Sequence, residues 1–188
     1  MRPDRLRRYL PNQTHSLDHL AGIGKGAAMD EFHGQASVRV DATPRAVFDF
    51  ITDVGRLPEW NNAIEAVLAQ PAALAEGAEW TVRMHPPGTP RWGSISRVVE
   101  LSRDRCRFAY QTRNADGNPS YSEWAWAIAR SGAGAGVTVT WRVHLKTFDR
   151  RFLGGPIRKR QLAREVPRSL AELASAISRD TTSHPLAR

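Results

Sequence analysis

Val38 and Val40 alternate with Arg39 and Asp41 across Gln35–Asp41, the period of a half-buried strand. The period then changes. Thr43 stands before Pro44, and Val47, Phe48 and Ile51 recur at helical spacing, so a capped helix is predicted, with proline at its first position and Gly55 at its end. "RLPEW" predicts a second helical turn that presents Trp60. Alternation returns at residue 63. Strands are predicted at 63–69, 78–85, 91–101, 105–113, 120–130 and 137–148. Turn-forming segments such as "HPPGTP", "SRD", "NADGNP" and "SGAGAG" join them, which predicts an antiparallel meander. Ile157, Leu162, Val166, Leu170, Leu173 and Ile177 then follow at spacings of five, four, four, three and four, so one helix is predicted from about 156 to 177. Gly154-Gly155 reads as its flexible lead-in, and Pro167 inside it should bend it.

These elements divide the 188 residues into a flexible basic arm at 1–33, a domain at 34–178 and a disordered tail at 179–188. A short helix is predicted within the arm, around Ser16–Leu20. No run approaches the roughly 18 apolar residues of a membrane span, and the arginine-rich N-terminus lacks the apolar stretch of a secretion signal. The expectation is a soluble, cytoplasmic protein. Cys106 is the single cysteine, so an internal disulfide is excluded, and it is expected as an inert thiol inside a strand.

The net charge of +8 is unevenly placed. Residues 1–28 carry five basic and two acidic groups, and residues 150–188 carry nine and three, while the body between them is almost neutral. A nucleic-acid surface would place its basic residues among aromatics on the body, so no specific nucleic acid is expected. "RRFLGGPIRKR" predicts instead a weak contact with an anionic membrane surface through the basic C-terminal region.

Side-chain alternation fixes the inner face of the sheet. With "SGAGAG" as the turn, Ile128 pairs near Val139, Trp126 near Trp141 and Trp124 near Val143, all on one apolar face. Thr138, Thr140, Arg142 and His144 fall outside, where Glu123 stands almost opposite His144 and reads as a cross-strand ion pair, with a catalytic dyad as the alternative. Cys106, Phe108, Tyr110 and Thr112 share one face, as do Trp80, Val82 and Met84. The strand at 91–101 turns either Trp92, Ser94, Ser96 and Val98 inward or Ile95, Arg97 and Val99; the cost of an unpaired buried charge favours Arg97 outside.

The order of strand, two short helices, meander and long terminal helix resembles the START-like (SRPBCC) superfamily. "VRVDATPRAVFDFITDVGRLPEWNNAIEAV" looks like that family's opening and "YSEWAWAIARSGAGAGVTVTWRV" like its closing hairpin, with the polyketide cyclase/dehydrase branch the nearest in appearance. The resemblance implies an α+β helix-grip fold: a curved antiparallel sheet of about seven strands around the C-terminal helix, with a cavity between them. It implies binding of a small hydrophobic or aromatic molecule, with cyclase or aromatase chemistry in the same cavity as the alternative. The expected lining is Trp60, Trp80, Met84, Phe108, Tyr110 and Thr112, with Trp124, Trp126 and Trp141 from the closing hairpin and Ile157 and Gln161 from the helix. Tyr110 could orient a ligand's carbonyl or phenol.

Other chemistry finds little support. His15 and His19 lie one helical turn apart, but no third metal ligand accompanies them. "GIGKG" lacks the spacing and hydroxyl of a phosphate loop. Asp49 and Asp53 read as a solvated face, and no nucleophile elbow occurs. Neither a metal nor a cofactor is expected.

Overall fold

The alternating segments all enter one antiparallel sheet. The structure, a computed structural model, describes residues 30–183. Its strands are β1 (Glu31–Val40), β2 (Ile64–Ala69), β3 (Glu79–Met84), β4 (Trp92–Ser102), β5 (Arg107–Asn114), β6 (Tyr121–Ser131) and β7 (Gly134–His144). They lie in the order β1-β7-β6-β5-β4-β3-β2, so the first strand joins the last and the sheet's edges are β1 and β2. Helix α1 (Pro44–Thr52) and a 3-10 helix (Val54–Glu59) carry the chain from one edge to the other. One π-helical turn (Arg150–Gly154) leads into α2 (Gly155–Ser183).

Local chemistry sets these boundaries. The Thr43 hydroxyl accepts from the Ala46 N–H, and Pro44 opens α1 where no N–H is needed. Asp53, rather than Gly55, ends the helix, and its carboxylate caps the following turn through Gly55 N. β4 has a bulge between Val98 and Glu100, and β2 is irregular at two places. Bulges bend the strands that carry them and raise the local twist, which favours a curved sheet.

The buried line of α2 runs through Leu162, Val166, Leu170, Leu173 and Ile177, each at most 7% exposed. Ile157 does not belong to it and is 65% exposed. A five-residue step turns about 140° past a full revolution, so Ile157 looks away from the line that starts at Leu162. α2 also runs past the predicted end at 177, because Asp180 pairs with Arg56 of the 3-10 helix at 2.9 Å. Gly154 and Gly155 are helical backbone, not a loose lead-in.

Three further expectations change. The chain pairs from Glu31 onward, so residues 31–33 belong to β1 and not to an arm. The β6–β7 turn has two central residues, Gly132 and Ala133, not six. Gly132 takes φ +60°, the left-handed backbone that such a tight turn asks of its first central residue. The register therefore moves by two: Trp124 faces Trp141, Trp126 faces Val139 and Ile128 faces Val137. An even shift leaves every side chain on its predicted face. Finally, Cys106 lies in the β4–β5 turn at φ +46°, half-buried, not inside a strand.

Outside the sheet, His144 does meet Glu123, at 3.4 Å, and Glu31 lies at 3.2 Å from its other ring nitrogen. Arg97 faces outward while Ser94, Ser96 and Val98 are buried. The Ser16–Leu20 helix, the His15/His19 pair and "GIGKG" lie outside the described residues. Among the described residues no helix is long and apolar enough to cross a membrane.

Gly34 on β1 sits opposite Trp141, and a Cβ added there would overlap the indole ring. The indole thus lies across a strand position that only glycine leaves open. Gly34→Ala is expected to lower stability in urea unfolding by about 1–3 kcal/mol, the range for overpacking. Gly136→Ala, whose added carbon would meet nothing closer than 3.5 Å, should cost less. Equal effects of the two would show that Trp141 does not depend on Gly34.

Candidate ligand cavity

The bent sheet and α2 do not close completely on each other. A cavity of about 460 Å³ remains between them, within the range of roughly 300–1,000 Å³ usual for small-molecule sites. β3 supplies Trp80, Val82 and Met84 to its wall. β6 supplies Trp124 and Trp126, and α2 roofs it with Leu162 and Val166. Polar groups concentrate on β4 and β5. Ser96 and Thr112 share a hydroxyl hydrogen bond of 2.8 Å, and the Ser94 hydroxyl donates to the Arg113 carbonyl at 3.3 Å. Most of this polar wall is therefore already satisfied.

Tyr110 is the exception. It lies between Trp80 (5.1 Å, edge-on) and Trp124 (6.4 Å, stacked) and lines the cavity. Among the described residues its hydroxyl donates to no acceptor. Burial pushes the phenol up to about 12, and the Trp126 indole pulls it weakly the other way. Trp126 Nε1 makes no well-directed hydrogen bond, so its influence stays small. The result is a neutral O–H donor held at the cavity wall at neutral pH.

α2 adds a charged network. Arg158 donates to Glu165 at 3.1 Å and to Gln161 at 3.3 Å, and all three line the cavity. Desolvation holds the Arg158 guanidinium below its ordinary value, and Glu165 partly offsets this. Arginine nevertheless stays charged at neutral pH. At the rim, Arg150 meets Asp116 at 3.5 Å, and Asp116 is held below the usual carboxylate value, chiefly by the Asn118 backbone N–H.

The expected lining is thus partly reassigned. Trp80, Met84, Tyr110 and Thr112 stand at the cavity, as do Trp124, Trp126 and Gln161. Three others stand behind the wall. Trp141 turns over Gly34, Phe108 is 2% exposed beneath Trp80, and Trp60 packs edge-on against Trp126 at 5.7 Å. Ile157 is on the outer surface. Sequence reasoning misses Arg158 and Glu165. Their helical positions beside Leu162 and Val166 hold the signal, but a charged pair at that spacing reads first as a solvated one.

Comparison with known proteins agrees with this architecture. A family model described as "Polyketide cyclase / dehydrase and lipid transport" matches residues 31–178. Among solved structures, Ara h 8.0201 superposes with a TM-score of 0.57 at 10% identity, over 79% of this chain and 99% of its own. Protein CV1439 from Chromobacterium violaceum gives 0.60 at 19% identity, over 77% of this chain and 96% of its own. TTHA0849 from Thermus thermophilus gives 0.59 at 18%, over 79% and 99%. At these identities the likeness establishes the helix-grip fold. No curated protein matches the sequence significantly.

A phenol that ionises near 12 in the folded chain and near 10 when unfolded makes stability fall as pH rises through that window, because the unfolded chain loses its proton first. Absorbance titration at the phenolate band should show one tyrosine ionising late, and Tyr110→Phe should remove it. A Tyr110 signal complete near its ordinary value of about 10 would place the hydroxyl in water instead.

Proposed function

The chain belongs to the polyketide cyclase/dehydrase and lipid transport family, and from that premise we propose that it holds one small, largely apolar or aromatic molecule between the sheet and α2. The observation that carries this reading is a cavity of about 460 Å³ walled by Trp80, Trp124, Trp126 and Leu162, with the Tyr110 hydroxyl among the donors at its side. Apolar surface supplies the affinity, and a single oriented hydrogen bond fixes how the ligand lies. The matching ligand has a flat or apolar body and one carbonyl, phenol or carboxylate acceptor that reaches Tyr110.

A second reading is cyclisation or aromatisation of a poly-keto precursor in the same cavity. Tyr110 favours it as a neutral donor to a developing enolate oxygen. Such a step also needs a base for the carbon-bound proton. The lining carboxylates are Asp116 and Glu165, and both are held by arginines. Each carboxylate is already committed to an arginine, so binding without turnover is the reading we favour.

Native mass spectrometry of the purified chain is expected to show a bound small molecule, and a fluorescent apolar probe should displace it saturably at one site per chain. Tyr110→Phe should weaken an acceptor-bearing ligand by about fivefold, the worth of roughly one net hydrogen bond, and leave a pure hydrocarbon probe unchanged. Absence of saturable binding by any apolar probe would remove the proposal, and conversion of a poly-keto substrate would move it to the second reading.

A further inference from the structure

α2 carries a second pattern on the side opposite its buried line. Ile157, Arg160, Arg164 and Arg168 follow at spacings of three, four and four, which places them on one outward strip. On the preceding turn Leu153 stands four residues before Ile157. Large apolar side chains gather at this end: Phe148 is 75% exposed, Leu153 70% and Ile157 65%, and the Phe148 ring lies tilted against Phe152 at 4.5 Å. Among the described residues they stand outside the buried core.

The cations of the region fall into two groups. Arg150, Arg151 and Arg158 pair with Asp116, Asp30 and Glu165. Lys159, Arg160, Arg164 and Arg168 are exposed, and no carboxylate among the described residues pairs with them. Like charges at four-residue spacing oppose the helix that carries them. Here the strip keeps three arginines at that spacing, directly beyond a projecting apolar end. A second cleft lies beside the strip, lined by Ile157, Arg160, Arg164 and Arg168, and it shares Ala63, Gln161 and Glu165 with the cavity.

We propose that this strip docks the protein on an anionic membrane surface. Phe148, Phe152, Leu153 and Ile157 enter the apolar side of the interface, and Arg160, Arg164 and Arg168 lie along the lipid phosphates. Both halves of the strip decide the partner. A nucleic acid offers phosphates but no apolar layer for Leu153 and Ile157. A lipid surface offers both within about 5–10 Å of depth. Through the residues shared by the two clefts, docking also brings the roof of the cavity next to the lipid.

The test is co-sedimentation of the full chain with phosphatidylcholine vesicles, with and without phosphatidylglycerol. Binding is expected only to the anionic vesicles and should be released by salt. The triple variant Arg160→Glu/Arg164→Glu/Arg168→Glu should lose at least about a hundredfold in vesicle affinity, each such cation being worth about fivefold near an anionic surface. Leu153→Ser/Ile157→Ser should weaken binding severalfold with the salt dependence kept. All five positions are exposed, and circular dichroism on both variants checks that they fold. Three results overturn the proposal: equal binding to neutral and anionic vesicles, wild-type binding by the charge-reversed variant, or capture by heparin with no binding to vesicles.

Discussion

The rotation of α2 about its own axis governs most of what this molecule presents. Leu162, Val166, Leu170, Leu173 and Ile177 can be buried together in only one orientation of a straight helical stripe. Once that line faces the sheet, every other position on the helix is assigned. Arg158, Gln161 and Glu165 fall on the flank that overlooks the cavity. Ile157, Arg160, Arg164 and Arg168 fall on the outside. Burying a Leu side chain stabilises the fold by about 1.5–3 kcal/mol, so five such residues fix the orientation far more firmly than the charged groups do. The arginines occupy the places that the leucines leave them.

The aromatic residues divide in a similar way between support and lining. Trp80, Tyr110, Trp124 and Trp141 form a chain of ring contacts across β3, β5, β6 and β7, with centroids 5.1, 6.4 and 6.0 Å apart. Contacts of this kind add about 0.5–1.5 kcal/mol each beyond the area they bury. At one end of the chain Trp141 leans over Gly34 and leaves the cavity. On another side Trp60 braces Trp126 from behind. The rings that remain at the cavity are held by rings that do not reach it. Rings so supported form a wall of close-packed side chains that bounds the cavity.

Much of this is readable in the residues, and the failures have distinct physical causes. The meander follows from the turn segments and its inner face from alternation, whereas the place of β1 beside β7 is recorded by neither, and the error in hairpin register does no harm because it is even. The last helix stands where periodicity puts it, but counting spacing alone adds Ile157 to its buried stripe, without the rotation that a five-residue step implies. Cys106 misleads because a cysteine beside Phe108 looks like part of a strand, whereas "SRD" and the residues after it turn the chain. Trp141 and Phe108 do lie on the predicted face of the sheet. A face, however, is wider than a cavity, and the depth of each ring depends on close approaches such as Gly34 that no periodicity records. Arg158 and Glu165 escape notice for the opposite reason. Charged residues are expected in water, and only the three-dimensional gap beside α2 gives them another place.

That gap also separates holding a ligand from transforming it. Catalysis by proton transfer needs an acid and a base whose proton affinities are poised apart, both within reach of one bound molecule. Here the acid half exists in Tyr110, raised and unpartnered. Among the described residues the lining carboxylates are already committed, Glu165 to Arg158 and Asp116 to Arg150 and the Asn118 N–H. Removing Arg158 would leave the Glu165 carboxylate at the roof without its cation. The present arrangement does the reverse. It commits both charges to each other and leaves the Tyr110 hydroxyl facing the cavity, the arrangement on which the proposed recognition of an acceptor rests.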